Sequence, residues 1–125
     1  LVRSLAAVAF AVSDYDSAIA WFRDALGFEL LEDTKLAEDK RWVVVAPPGG
    51  SGARLVLQKA ARAPSARVGY FLETADFARD HADFMARGVT FLEAPRREPY
   101  GVVAVFADPW GGKWDLIEPA RRPAP

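Results

Sequence analysis

The stretch Leu5-Ala-Ala-Val-Ala-Phe-Ala-Val12, followed by Ser13-Asp14 and a run to Leu26-Gly27-Phe28, decides the fold because it comes back in altered letters. Its echo is Arg67-Val-Gly-Tyr-Phe-Leu-Glu73, then Thr74-Ala75-Asp76 and a run to Arg87-Gly88-Val89. The two copies lie about 61 to 62 residues apart, roughly half the chain, and a repeat of that period marks a duplicated supersecondary unit. Few letters agree between the copies, so the pattern carries the comparison.

Working outward, residues 5–12 are rich in Ala, Val and Phe and read as a buried strand. Ser13 or Asp14 caps the next helix by accepting an otherwise unpaired backbone N–H. From Asp16 the apolar residues Ile19, Phe22 and Leu26 recur at three- and four-residue steps, the pattern of a helix with one buried stripe. Gly27 stops it, since a left-handed conformation costs glycine little. Strands are expected over 28–36, 41–46 and 54–59, with Pro47–Gly52 as a turn cluster. Residues 60–66, with Pro64 and Ser65, read as a linker. The second copy then gives a strand over 67–73, a helix over 77–87 and strands over 89–93, 100–107 and 113–118. Between them lie a charged, proline-bounded loop at 94–99 and a tight turn at Asp108–Gly112. Residues 119–125 read as a loose tail.

This order is strand, helix, three strands, twice over. Parallel alternation would need more helices. The expected class is therefore α+β: two βαβββ modules, about 5–59 and 67–118, forming curved mixed sheets around a cleft within a single domain of 125 residues.

Composition narrows the function. Hydrophobic residues make up 51% and charged residues 26%, which is globular. A net charge of -1 gives no basic footprint for nucleic acid. No apolar run approaches the roughly 18 residues of a membrane span. No secretory pattern opens the chain, so a cytoplasmic location is the expectation by elimination. With no cysteine, neither a disulfide framework nor thiolate chemistry is expected. A phosphate-binding loop is absent too, because Gly49-Gly-Ser-Gly52 lacks the lysine and following helix it needs.

Two segments resemble a known family. Ala7-Val-Ala-Phe-Ala-Val-Ser-Asp14, then Ala18, Trp21-Phe-Arg-Asp24 and Leu26-Gly-Phe-Glu29, is similar to the opening module of the vicinal oxygen chelate superfamily. That group contains glyoxalase I, bleomycin-resistance proteins and extradiol dioxygenases. Pro99-Tyr-Gly101 and Val105-Phe-Ala-Asp-Pro-Trp-Gly-Gly-Lys-Trp-Asp-Leu116 look like its closing hairpin, the Asp-Pro-x-Gly turn being the most specific piece. The resemblance implies four metal-ligand positions. Here they carry Ala7, Val56 (or Gln58 nearby), Gly69 and Asp115, so one oxygen ligand of four survives. Transition-metal sites want about three or four protein ligands, with imidazole prominent. The one histidine, His81, sits mid-helix and reads as solvated. No metal and no other cofactor is expected.

If Ala7 and Asp115 face the cleft as the family implies, Ala9 and Ala11 line it too, while Val8, Phe10 and Val12 pack under the helix. Three alanines leave room for a ligand; alternatively they only allow close sheet packing. Asp115, between Trp114 and Leu116, is the candidate catalytic residue, since desolvation would raise its proton affinity and suit a general base. The alternative is a salt bridge to an arginine or exposure at a sheet edge. Tyr100 is a candidate proton donor or ligand contact, or else structural. Trp42, Phe71, Phe106 and Trp110 are candidates for an aromatic floor, although aromatics in short strands also fill cores. Arg54, Gln58, Arg96 and Arg97 are candidates to hold an anionic group, Arg96-Arg97 being equally readable as a solvated pair.

The leading expectation is a metal-independent small-molecule binder of the bleomycin-resistance type, and the resemblance implies a homodimer. The alternative is a glyoxalase-I-like lyase or isomerase with Asp115 as its base. A third possibility is a non-catalytic partner domain with a filled cleft.

Overall fold

The computed structural model describes residues 2–49, 52–62 and 66–121. The chain forms two compact units, one ending at Arg62 and the other taking up the remainder. Part of the expected linker (63–65), of the glycine turn (50 and 51) and of the tail (122–125) lies outside the described residues.

The first unit contains β1 (Val8–Val12), α1 (Tyr15–Asp24), β2 (Glu29–Ala37), β3 (Lys40–Ala46) and β4 (Leu55–Lys59). Asp14 caps α1: its carboxylate accepts the Ser17 N–H at 2.9 Å, which holds its pKa below the ordinary value. Gly27 ends the helical turn at φ 73°. The strands form one sheet in the order β1-β4-β3-β2, with β1 parallel to β4 and the other pairs antiparallel. Phe10, Leu57 and Val43 are cross-strand neighbours on one face, all buried, and Phe10 meets Phe22 of α1 edge-to-face at 5.3 Å. That face is the core. Arg41 ties its rim together: the guanidinium forks onto Asp33 and donates to Asp16 at 2.8 Å, lying 5.3 Å over the Tyr15 ring.

The second unit repeats the plan with β5 (Val68–Glu73), α2 (Phe77–Ala86), β6 (Thr90–Phe91), β7 (Arg96–Glu98), β8 (Gly101–Ala107) and β9 (Lys113–Pro119). Its order is β5-β9-β8-β6, with β7 also pairing β8 and β5 parallel to β9. Asp76 caps α2 as Asp14 caps α1, accepting from Arg79 N at 3.1 Å. Glu118 of β9 takes the next free amide, that of Phe77, at 2.8 Å. The core faces α2: Tyr70 stacks on Trp114 at 4.7 Å, and Phe84 meets Phe106 edge-to-face at 5.7 Å.

Asp108 organises the β8–β9 turn. Its Oδ1 accepts the amides of Trp110 and Gly112, each at 2.8 Å, and its Oδ2 accepts the Trp114 indole N–H at 2.8 Å. Three donors therefore converge on one buried carboxylate, which is the physical content of the Asp-Pro-x-Gly signature.

Four expectations are corrected. The strand expected over 89–93 stops at Phe91, and the charged loop expected at 94–99 contains β7. The Leu92 N–H still donates to the Val105 carbonyl of β8 at 2.8 Å, but regular pairing lapses beyond it; Pro95 has no N–H to give a ladder, and pairing resumes at Arg96↔Val103. Val8, expected under α1, is exposed, because Tyr15 begins the helix near the other end of β1. His81 is half-buried, not solvated: its ring lies 5.3 Å from Phe77 and 4.3 Å from Phe91.

Among the described residues no helix is long and apolar enough to cross a membrane.

Candidate functional site

Strand alternation sends each unit's side chains to two faces. One face meets the helix; the other carries most of the candidate site residues.

In the second unit that other face is built around Asp115. Its cross-strand neighbours are Phe71 on β5 and Val105 on β8. Trp114 and Leu116, on either side of it in sequence, point the opposite way into the core. Asp115 is only 8% exposed, while Phe71 is 66% exposed. Asp115 Oδ1 is buried and finds no hydrogen-bond donor among the described residues. Burial therefore raises the carboxyl's pKa above its ordinary value of 3.8; Arg96 opposes the rise and Glu93 adds to it. Arg96 does not relieve Asp115 by bonding to it. Its guanidinium is shared between Glu93 and Glu98, the latter at 3.0 Å, and chiefly the bond to Glu93 raises its own pKa.

Gly69 lies where the pairing of β5 with β9 slips by one residue, between Val68 and Tyr70. A Cβ added there would meet nothing within 4 Å. Tyr100 is exposed in the turn between β7 and β8, and its carbonyl accepts the Ala120 N–H at 2.8 Å.

In the first unit the face away from α1 brings Ala9, Val56 and Val44 into one row and Ala11 and Gln58 into the next. Val44 and Val56 are buried there. Trp42, on the same face of β3, is 41% exposed. Gln58 and Arg54 are exposed, and the Arg54 carbonyl receives the Val8 N–H at 3.0 Å, which places Ala7 at the entry to the same strand pair. Val56 and Gln58 share this face, with Leu57 between them directed at the core.

Two aromatic candidates fall elsewhere. Phe106 is fully buried on the α2 side, stacked 5.8 Å from Trp114, so it fills the core and does not line the exposed face. Its place follows from register: it pairs with Trp114, not with Asp115. Trp110 is half-buried in the Asp108 turn at the end of the sheet. The pair Arg96-Arg97 divides: Arg96 is half-buried in the carboxylate cluster and Arg97 is exposed. Glu93 and Glu98 join the site although the sequence did not single them out. The signal available was the period-two step from Arg96 to Glu98.

The donors do not suit a chelated metal. Ala7, Val56 and Gly69 offer no side-chain ligand atom, and His81 packs between Phe77 and Phe91. Among the described residues no group of three His, Cys, Asp or Glu side chains converges as a metal site would require.

The sequence pattern of the Glyoxalase/Bleomycin resistance protein/Dioxygenase superfamily matches residues 4–116. An uncharacterized protein of Shewanella frigidimarina is 42% identical over 126 aligned positions, covering 93% of each chain. TnmS3, an antibiotic binding protein from Streptomyces sp. CB03234, is 31% identical with a TM-score of 0.76, over 96% of this chain and 99% of its own. A member of the same superfamily from Sphaerobacter thermophilus superposes with a TM-score of 0.78 at 27% identity, over 94% and 98% of the two chains. The duplicated modules, the Asp108 turn and these matches agree: the chain belongs to the glyoxalase/bleomycin resistance protein/dioxygenase superfamily.

Proposed function

We propose that this protein is a metal-independent small-molecule binder of the bleomycin-resistance type, one that sequesters an apolar or aromatic ligand. The observation that carries the proposal is the pairing of exposed Phe71 with buried, unpartnered Asp115 on one sheet face. Ligand sites are mostly apolar surface with a few placed polar groups, and this face has that composition. Exposed Trp42 gives the first unit an aromatic surface of the same kind. Likeness to an antibiotic-binding protein at 31% identity supports the reading. So does the lack of side-chain donor atoms at Ala7, Val56 and Gly69, three of the positions where the family resemblance implies metal ligands. We place the protein in the cytoplasm as a homodimer; a light-scattering mass equal to one chain would remove the dimer.

The test is a ligand-stabilisation screen with planar aromatic compounds. A ligand at about a hundred times its Kd stabilises the folded state by about 2.7 kcal/mol, a rise of several degrees in Tm. A diverse panel producing no rise would defeat the proposal.

A second reading rests on the burial of Asp115, which raises its pKa above the ordinary 3.8, the direction that favours a general base. That reading makes the protein a glyoxalase-like lyase or isomerase. Turnover of methylglyoxal with glutathione, with and without added nickel or zinc, separates the two.

A further inference from the structure

We infer that Asp115 selects the ligand's chemical class: the ligand carries an ammonium group on an aromatic body, the ammonium meeting Asp115 and the ring lying on Phe71. This rests on the binding function proposed above and adds the identity of the group that is bound.

The inference starts from an incomplete hydrogen-bond account. An ionised carboxylate only accepts, and has about four lone-pair sites to satisfy. Buried polar groups in folded proteins almost always find partners, so an orphan points to something that binds there. Asp115 is more than nine-tenths buried, and its Oδ1 has no donor among the described residues. The contrast with Asp108 is direct: seven residues earlier in the same hairpin, a carboxylate of similar burial collects three donors.

Two cations of this unit spend their hydrogen bonds elsewhere. Arg96 faces it but donates to Glu93 and Glu98. Lys113, two residues along β9, reaches the Ala66 carbonyl at 3.4 Å. The three carboxylates Glu93, Glu98 and Asp115 outnumber Arg96, so the cluster of four carries a formal charge of about -2 when ionised. A ligand anion would be repelled there, and a neutral donor would leave the charge uncompensated. An ammonium supplies both donor and charge, in the form of the strong, charge-assisted hydrogen bond. Phe71, the cross-strand neighbour of Asp115, offers its ring to solvent beside the acid, and a flat hydrocarbon covers such a ring.

The experiment uses one ring with three head groups: 2-(aminomethyl)naphthalene, 2-naphthalenemethanol and 2-naphthoate, titrated calorimetrically into the full chain at pH 7. The expected order is amine, alcohol, carboxylate, with at least tenfold between the ends. In Asp115→Asn the span collapses to within about threefold, and in Phe71→Ala all three weaken together. Asp115→Leu provides a second variant should the amide disturb folding, with thermal melts checking both. Equal affinities, a preference for naphthoate, or an order that survives both Asp115 variants overturns the inference while leaving a binding function intact. No binding by any of the three to millimolar concentration also overturns it. The binding function itself then falls only if the wider screen is empty too.

Discussion

Replacing Asp108 tests whether the signature turn is held by its carboxylate. Trp114 is 2% exposed and Gly112 is buried, so their N–H groups have no access to water once Asp108 is gone. An unsatisfied buried donor costs about 1–3 kcal/mol. Asp108→Ala strands two such donors, and the expected loss is about 4 kcal/mol. Asp108→Asn is the sharper perturbation. Its oxygen can keep the two backbone amides, but its NH2 then faces the indole N–H, donor against donor. The expected cost is about 2 kcal/mol, measured by urea unfolding. In a Trp114→Phe background there is no indole N–H, so the same change should cost under about 1 kcal/mol. An equal penalty in both backgrounds would refute the role given to Oδ2, and a neutral Asp108→Ala would refute the turn's whole construction.

Three other outcomes follow from the same structure. Because the folded pKa of Asp115 lies above its ordinary 3.8, the folded state binds more protons than the unfolded state between those two values, and stability falls as pH rises through that window. Asp14 and Asp80 shift downward, Asp80 chiefly through Arg79, so their contributions are lost only below 3.8. Asp115→Leu should abolish the fall above 3.8 and raise neutral-pH stability by about 1–2 kcal/mol, an effect read from unfolding curves at pH 4 to 7. Gly101 sits at φ 150°, where an added Cβ would lie 2.2 Å from the Glu118 carbonyl oxygen, so Gly101→Ala should cost about 3 kcal/mol by chemical denaturation. Arg41→Lys keeps the charge but loses the fork onto Asp33; a drop of about 1 kcal/mol is expected, and an unchanged midpoint would show the fork contributes nothing.

The duplicated plan was legible because its punctuation is chemical. Asp14 and Asp76 cap the two helices, and Gly27 and Gly88 leave them at positive φ. Such residues act over three or four positions and can be read locally. The division of the site was harder to read. Phe71 and Phe106 look alike in sequence, each in an apolar strand, but one pairs with Asp115 and the other with Trp114. The face of Phe106 is set within the β8–β9 hairpin, but that of Phe71 is set by pairing with a strand more than 30 residues away, which no local window contains. Strand β7 was missed because Arg-Arg-Glu between prolines has the composition of a loop; it is a strand only because β8 offers it an edge. The lone acid at Asp115 was visible, but its want of a partner depends on where Arg96 spends its hydrogen bonds.

The parallel pairing of β1 with β4, and of β5 with β9, joins the first strand of each half to its last. Neither half can complete its sheet until its final strand has left the ribosome. Cutting the chain near residue 62 would therefore separate no hydrogen-bonded strand pair among the described residues. Among the described residues, every strand ladder then has both its strands on one side of the cut.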